Sequence, residues 1–313
     1  MSHRSIMKEI FFYGLWVDVG PTICKHSINF GVIIMKNSVV GFCRFSFLGR
    51  GDWSRYRSIK AGDEDPKLFE DIANELYKSD RMERRLSTFE NITIPSILSQ
   101  SEKDFRYVVI SSDIMPEIYK IRLKYICEKC SQVELVFAKS KNLADATNPV
   151  LDRIQKIGDH AVQFRLDDDD AVSKRYVELI YEHSERLKNM SAYAITFNKG
   201  ISAVSYPAED IWYAEYKVPF QSASSVIKFA HNNRSIFDVG HYAMQRSYTH
   251  IQDLENYGAF MMKWPSDSRE LSRRSLPSNT KEIEKSNFDR ICRKNFPGLE
   301  NIDIQSITRN FNY

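Results

Sequence analysis

The stretch "HAVQFRLDDDDAV" (residues 160–172) joins a short apolar run to four consecutive aspartates, Asp167 to Asp170. Val162, Phe164 and Leu166 recur at every second position, the period of a β-strand. In an open parallel sheet, ligands bind in the crevice beyond the carboxyl ends of the strands, and the aspartates occupy such an end. Four adjacent carboxylates repel one another and raise each other's pKa values unless a cation compensates. Hard divalent cations such as Mg²⁺ or Mn²⁺ are held by one or two carboxylates together with substrate phosphate oxygens, a role this arrangement can supply. A plainer reading makes the run an Asp-rich turn in which Asp170 caps the next helix, but one aspartate is enough for that.

The segments on either side decide whether such a sheet exists. "SVVGFCRFSF" (38–47) reads as a strand ending near Arg44, and "FRYVVIS" (105–111) and "VELVFA" (133–138) read as two more. Between them, Asp65-Pro66 is a cap with proline in the first turn. Leu68, Phe69, Ile72, Ala73, Leu76 and Tyr77 then form one helical face. Leu86, Phe89 and "IPSIL" suggest a second helical piece, kinked or ended by Pro95, while residues 116–130 and 148–157 give two further helices. Short apolar strands alternating with helices indicate an α/β fold, Rossmann-like, with a mainly parallel sheet covered on both faces.

After the aspartates, Val172, Tyr176, Ile180, His183 and Leu187 predict a helix over about 171–188, with His183 a core or boundary residue. The pattern then changes. "SAYAITF", a Lys199-Gly200 turn, "ISAVSY" and "IWYAEYKV" read as antiparallel strands, so an α+β region follows the α/β half. The expected divisions are an N-terminal extension at 1–38, an α/β half at 39–190, an α+β half at 191–268 and a basic region at 269–313.

The chain has 313 residues with 44 basic and 41 acidic side chains, a net charge of +3, which gives no bulk electrostatic case for nucleic acid as a partner. Five scattered cysteines fit a reducing compartment, and Cys127 and Cys130 read as two thiols of one helix rather than half of a zinc site. No apolar run reaches the roughly 20 residues of a membrane span, and no signal peptide is evident, so a cytoplasmic protein is expected. The basic C-terminal region reads either as a solvated helical tail or as a patch that meets a phosphate-bearing substrate or, peripherally, the inner membrane surface.

Residues "FENITIPSILSQSEKDFRYVVISSDIMPEIYKIRL", followed by "VQFRLDDDDAV" and "FNKG", resemble the rhamnosyl transferase family, glycosyltransferases with a GT-A-like fold. The resemblance covers roughly residues 40–265, and its most specific element is "RLDDDDA". It implies a nucleotide-sugar donor site in the first half, a glycan or glycoconjugate acceptor site in the second, and a DxD motif within the acidic run. In that pattern Asp167 and Asp168 lie on the nucleotide side while Asp169 and Asp170 ligate Mn²⁺ or Mg²⁺. Asp167-x-Asp169 and Asp168-x-Asp170 both remain open as the register. Arg44 at the end of the first strand and Asp113 after the second are candidates for the nucleotide; a surface arginine and a helix cap are their plainer readings.

For the acceptor side the resemblance points to "FDVGHYAM" (237–244), where Asp238 and His241 are candidates for the general base that an inverting reaction needs. Asp238 could equally begin a turn, and His241 could cap or pack the following helix. Trp264 is a candidate sugar platform, although buried aromatics are commoner. Two other classes of function use the same carboxylates: a metal-dependent nucleotidyltransferase, and a non-catalytic cation- or carbohydrate-binding module.

Overall fold

In the computed structural model, the described residues are 38–49, 65–155, 160–205, 210–231, 233–264, 279–300 and 302–309. The extension expected at 1–38 falls, apart from Ser38, outside them, as do residues 265–268 of the α+β half and 269–278, 301 and 310–313 of the basic region. The elements run β1 (Val39–Arg44), α1 (Pro66–Leu76), α2 (Ser79–Thr88), α3 (Ile94–Leu98), β2 (Arg106–Ser112), α4 (Glu117–Glu128), β3 (Val133–Ala138), α5 (Leu143–Gln155) and β4 (Val162–Arg165). They continue as β5 (Asp170–Val172), α6 (Tyr176–Arg186), β6 (Tyr193–Val204), β7 (Trp212–Lys217), β8 (Ser225–Lys228), α7 (His241–Ser247), β9 (His250–Lys263), β10 (Thr280–Glu282), α8 (Lys285–Asn295) and α9 (Ile304–Arg309).

Alternation along β1 shows how the sheet is covered. Val39 and Cys43 face one layer with Met82 and Leu86 of α2, Leu123 and Ile126 of α4, and Tyr176 and Ile180 of α6. Val40 and Phe42 face the other, with Val150 and Leu151 of α5 and Met244 of α7. The strands β3-β2-β1-β4 are mutually parallel, as the α/β reading requires. Antiparallel β8 joins β4 to β6, β7 and β10, so strands from both halves of the chain share one mixed sheet. At Gly41 the approach between strands is close: a Cβ there would fall 2.2 Å from the Phe164 ring.

Four local expectations change. The helix expected from 171 begins at Tyr176, because residues 170–172 form β5, antiparallel to β9, and Arg175 rather than Asp170 is the helix N-cap. Lys199-Gly200 is no turn: β6 runs through it, with register shifts against the parallel strand β9 at that point. Gly200 is required there because a Cβ would lie 2.1 Å from the Tyr216 ring. Pro95 does not end its helix, since a π-helical turn at Phe89–Thr93 absorbs the break and α3 follows directly. Pro149 lies inside α5, which starts at Leu143.

The C-terminal region is more than a solvated tail. Phe288, Ile291 and Cys292 of α8, with Phe296, Leu299, Ile304 and Ile307, pack on Ile201, Ala203, Phe260 and Met262 of β6 and β9. Cys43, Cys127, Cys130 and Cys292 are buried free thiols. No helix among the described residues is long and apolar enough to cross a membrane. Gly41→Ala is expected to destabilise the fold by about 1–3 kcal/mol through overpacking against Phe164. A lowered urea midpoint at unchanged slope would show it, and an unchanged midpoint would contradict the close approach.

Candidate active site

Strand β4 delivers the aspartates to the carboxyl edge of the parallel strands. Leu166 follows the strand, its N–H donating to Phe42 O (3.1 Å) and its carbonyl accepting from Tyr107 Oη (3.1 Å). The chain then turns, closed by Asp170 N–H donating to Asp167 O at 3.3 Å. Thr93, the last residue of the π-helical turn, clamps this loop: its Oγ1 donates to Asp170 O at 2.8 Å and lies 3.4 Å from Asp167 O. An irregular helical turn is thereby tied directly to the acidic run.

The four carboxylates meet different sets of partners, Asp168 and Asp169 sharing Arg85. Asp167 is held by Arg165 through Nε (3.1 Å) and Nη2 (3.0 Å), with Ser222 Oγ 3.4 Å away. Asp168 has no exposed surface and pairs with Arg85 Nη2 from α2; its Oδ2 accepts no hydrogen bond from the described residues. Asp169 accepts from Trp264 Nε1 (3.0 Å) and from Arg85 Nη1 (3.3 Å) through Oδ2. Asp170 accepts Met262 N–H (3.2 Å) across the β5–β9 pair. The side chains of Asp167 and Asp169 keep 24% and 13% of their surface, so solvent meets the run chiefly at Asp167.

Charge follows the same division. Burial would raise the Asp167 carboxyl, but Arg165 and Arg44 hold it well below the usual range. Asp168 is pushed up to about 7, by burial first and then by Asp169 and Asp167, with Arg85 opposing. Burial and the neighbouring Asp169 push Asp170 well above the usual range. Arg44 is lowered to about 10, chiefly by burial and by Arg165, so it remains a cation beside Asp167. Backbone strain flanks the site as well. Ser46 (φ 43°) follows β1 and accepts from Arg81 Nη1 at 3.0 Å, and Phe220 (φ 54°) precedes Ser222.

Arg44, Asp167, Asp168, Asp169 and Asp170 are thus brought together. Asp113 follows β2, at the same edge of the sheet as Arg44, and does not cap α4, whose N-cap is Pro116. Asp238 closes a capping box, its Oδ2 accepting Ser235 N–H at 2.9 Å. His241 begins α7 and lines a cleft of about 110 Å³ with Arg165, Ser222, Ser225, Phe237 and Met244, so it shares a wall with the arginine that holds Asp167. Trp264 is buried and serves Asp169 rather than presenting a face. His183 is buried on α6 with Asp253 Oδ2 2.9 Å from its Nε2. Sequence reasoning missed Arg85, Arg165, Ser222 and Thr93. Only Arg165, two residues before Asp167, carried a signal, since i and i+2 on an extended chain share a face.

A divalent cation shared with a diphosphate needs one or two protein carboxylates, the remaining positions going to phosphate and water. Among the described residues no three or more His, Cys, Asp or Glu side chains form a cage of their own. Asp167, the most exposed of the four, and Asp169, whose side chain keeps a little surface, fit the shared role. Buried Asp168 and sheet-bound Asp170 do not.

A parallel half-sheet whose carboxyl edge gathers carboxylates and guanidiniums is continued by an antiparallel half, the mixed α/β arrangement expected above. Residues 38–270 match the family described as "Putative rhamnosyl transferase", and the chain belongs to that family. No curated protein matches the chain significantly. Among solved structures, S. aureus TarS is similar at 9% identity and TM-score 0.36, over 73% of this chain and 37% of that one. Its 1–349 fragment in complex with UDP-GlcNAc matches at 11% identity and TM-score 0.36, over 88% of this chain and 71% of that one. A protein from Desulfovibrio desulfuricans G20 described as a "putative nucleotide-diphospho-sugar transferase" matches at 8% identity and TM-score 0.30, over 74% of this chain and 81% of that one. The chain thus spans little more than a third of full TarS, and likenesses this distant carry no functional argument.

The raised Asp168 pKa has a consequence for stability. Between its unfolded value near 4 and about 7, the native state holds a proton that the unfolded state has lost, so stability falls as pH rises through that window. Asp168→Asn has no such proton to lose. The wild-type melting temperature is expected to drop between pH 5 and 7.5 relative to that of the variant, and parallel profiles would contradict the assignment.

Proposed function

We propose that the protein transfers a sugar from a nucleoside-diphosphate donor to a glycan or glycoconjugate acceptor, with Asp167-x-Asp169 as the working register of the acidic run. The observation that carries this reading is the end of β4, where Asp167 is partly exposed and the Asp169 side chain keeps 13% of its surface, while Asp168 keeps none and Asp170 is bound into the β5–β9 pair. A bound Mn²⁺ or Mg²⁺ would supply positive charge to offset that developing on the departing nucleoside diphosphate.

The protein's own residues do the rest. Arg165 fixes Asp167, while Trp264 and Arg85 fix Asp169, so neither carboxylate reorganises when the donor arrives. Arg44, kept cationic beside Asp167, is the candidate contact for the diphosphate or nucleotide. Asp113, free of capping duty, is the candidate for the nucleoside end. The cleft lined by Arg165, Ser222, Ser225 and His241 takes the acceptor, and His241 is placed to receive the proton of its hydroxyl if the reaction inverts. Asp238, engaged in its capping box, is the weaker candidate for that base. The family description is what suggests rhamnose as the donor sugar.

The deciding experiment is calorimetric titration with nucleoside diphosphates, with and without Mn²⁺. Asp169→Asn keeps an acceptor for Trp264 Nε1 but removes the charge. It is expected to weaken Mn²⁺-dependent binding on the order of tenfold or more, with the melting temperature nearly unchanged. Unchanged affinity in the variant would overturn the register, and wild-type protein that binds no nucleoside diphosphate would overturn the function. His241→Ala should leave donor affinity intact and lower turnover by about 10²-fold or more. Equal turnover in that variant would remove His241 from the chemistry.

A further inference from the structure

Helix α4 has two apolar faces. Tyr119, Leu123, Ile126 and Cys127 point into the core. On the opposite side Ile118 (71%), Ile121 (63%) and Tyr125 (63%) stand exposed, and Ile114 (53%) in the turn before the helix extends them. These four are half of the large hydrophobic side chains exposed among the described residues. Single exposed apolar residues need no explanation, but a contiguous stripe marks an interaction surface. Within the helix Ile118, Ile121 and Tyr125 are spaced three and four apart, the spacing of a heptad seam along which two helices pack knobs into holes.

The charges beside the seam select the occupant. At 100° per residue, Arg122 and Lys129 lie on one flank, while Glu117, Lys124 and Glu128 lie on the other. Arg122 is tied to Glu83 and Lys129 to Glu90, so the first flank is already neutralised within the molecule. On the second, Glu117 and Lys124 are largely exposed and seven residues apart, with opposite signs. Their partners, Lys120 at 3.5 Å and Glu128 at 3.9 Å, are surface contacts of little energy that can re-pair readily.

On the flank that is not already neutralised, an anionic lipid surface would meet two carboxylates, Glu117 and Glu128, against one lysine, Lys124, a net negative charge that disfavours it. A second copy laid antiparallel, with Ile118 against Ile121, meets its own complement. Each Glu117 then faces Lys124 of the other copy, and the contact repeats by two-fold symmetry. We propose that the α4 stripe is a self-association surface through which two copies of this chain form an isologous dimer. Covering it removes on the order of 1,000 Å² from water over both copies, the lower end for a specific interface, so the dimer is weak and concentration-dependent.

Sedimentation velocity of the full chain over micromolar to submillimolar concentrations tests this, with circular dichroism confirming that each variant is folded. Ile118→Glu is expected to leave only monomer. Glu117→Lys and Lys124→Glu, each placing like charges across the two-fold, should weaken the dimer on the order of tenfold, and the double reversal should restore it. Three results would overturn the proposal: a monomer at every concentration, a dimer indifferent to all four variants, or reversals whose losses simply add. Flotation with phosphatidylglycerol vesicles forms the second arm. Capture of the wild type but not of Ile118→Glu, without dimerisation, would reassign the stripe to a membrane surface and overturn self-association.

Discussion

Three neighbouring aspartates, Asp168 to Asp170, lie buried at the end of one strand, beside a fourth that is only partly exposed. That is the constraint on which the rest of the molecule depends. Carboxylates removed from water are tolerated only where cations or hydrogen-bond donors meet them. Here the donors come from widely separated parts of the chain: Arg165 from β4 itself, Arg85 from α2, Trp264 from the end of β9 and the Met262 backbone beside it. Arg44 adds charge from the end of β1. The acidic run therefore works as a junction, fastening helix α2 and strand β9 to the edge of the parallel sheet.

This junction also separates structural from chemical duty. Asp170 is a sheet residue whose carboxylate serves a neighbouring backbone N–H, and Asp168 is a buried partner for Arg85. Both are pushed toward the neutral form, which lowers the charge packed into a small volume. Asp167, held ionised by Arg165 and Arg44, and Asp169, held by Arg85 and Trp264, retain solvent contact. In the proposed register, two of the four would then serve a ligand without carrying the electrostatic cost of all four.

How much of this could be read in the sequence depends on how local each signal is. The parallel strands β1 to β4 and the helices between them are legible because each is an apolar run with its own period and its own breakers. The acidic run is legible because nothing local explains four carboxylates. Strands β8 and β9 gave no comparable signal, and β5 was hidden because Ala171 and Val172 suit a helix as well as a strand until β9 pairs with them. The bulge at Gly200 looked like a turn, since glycine marks both, and only the Tyr216 ring distinguishes the two. Arg85 was invisible because an arginine on the polar helix α2 looks like any solvated one. Its role depends on a partner 83 residues away.

The central claim is that Asp167 and Asp169 face the ligand while Asp168 and Asp170 hold the fold. Anomalous diffraction at the manganese edge, from crystals grown with Mn²⁺ and a nucleoside diphosphate, tests it most directly. The account predicts a single ion in contact with carboxylate oxygens of Asp167 or Asp169 and with the diphosphate, with Asp170 still bonded to Met262 N–H. An ion ligated by Asp168 or Asp170, or a diphosphate bound away from the acidic run, would contradict it.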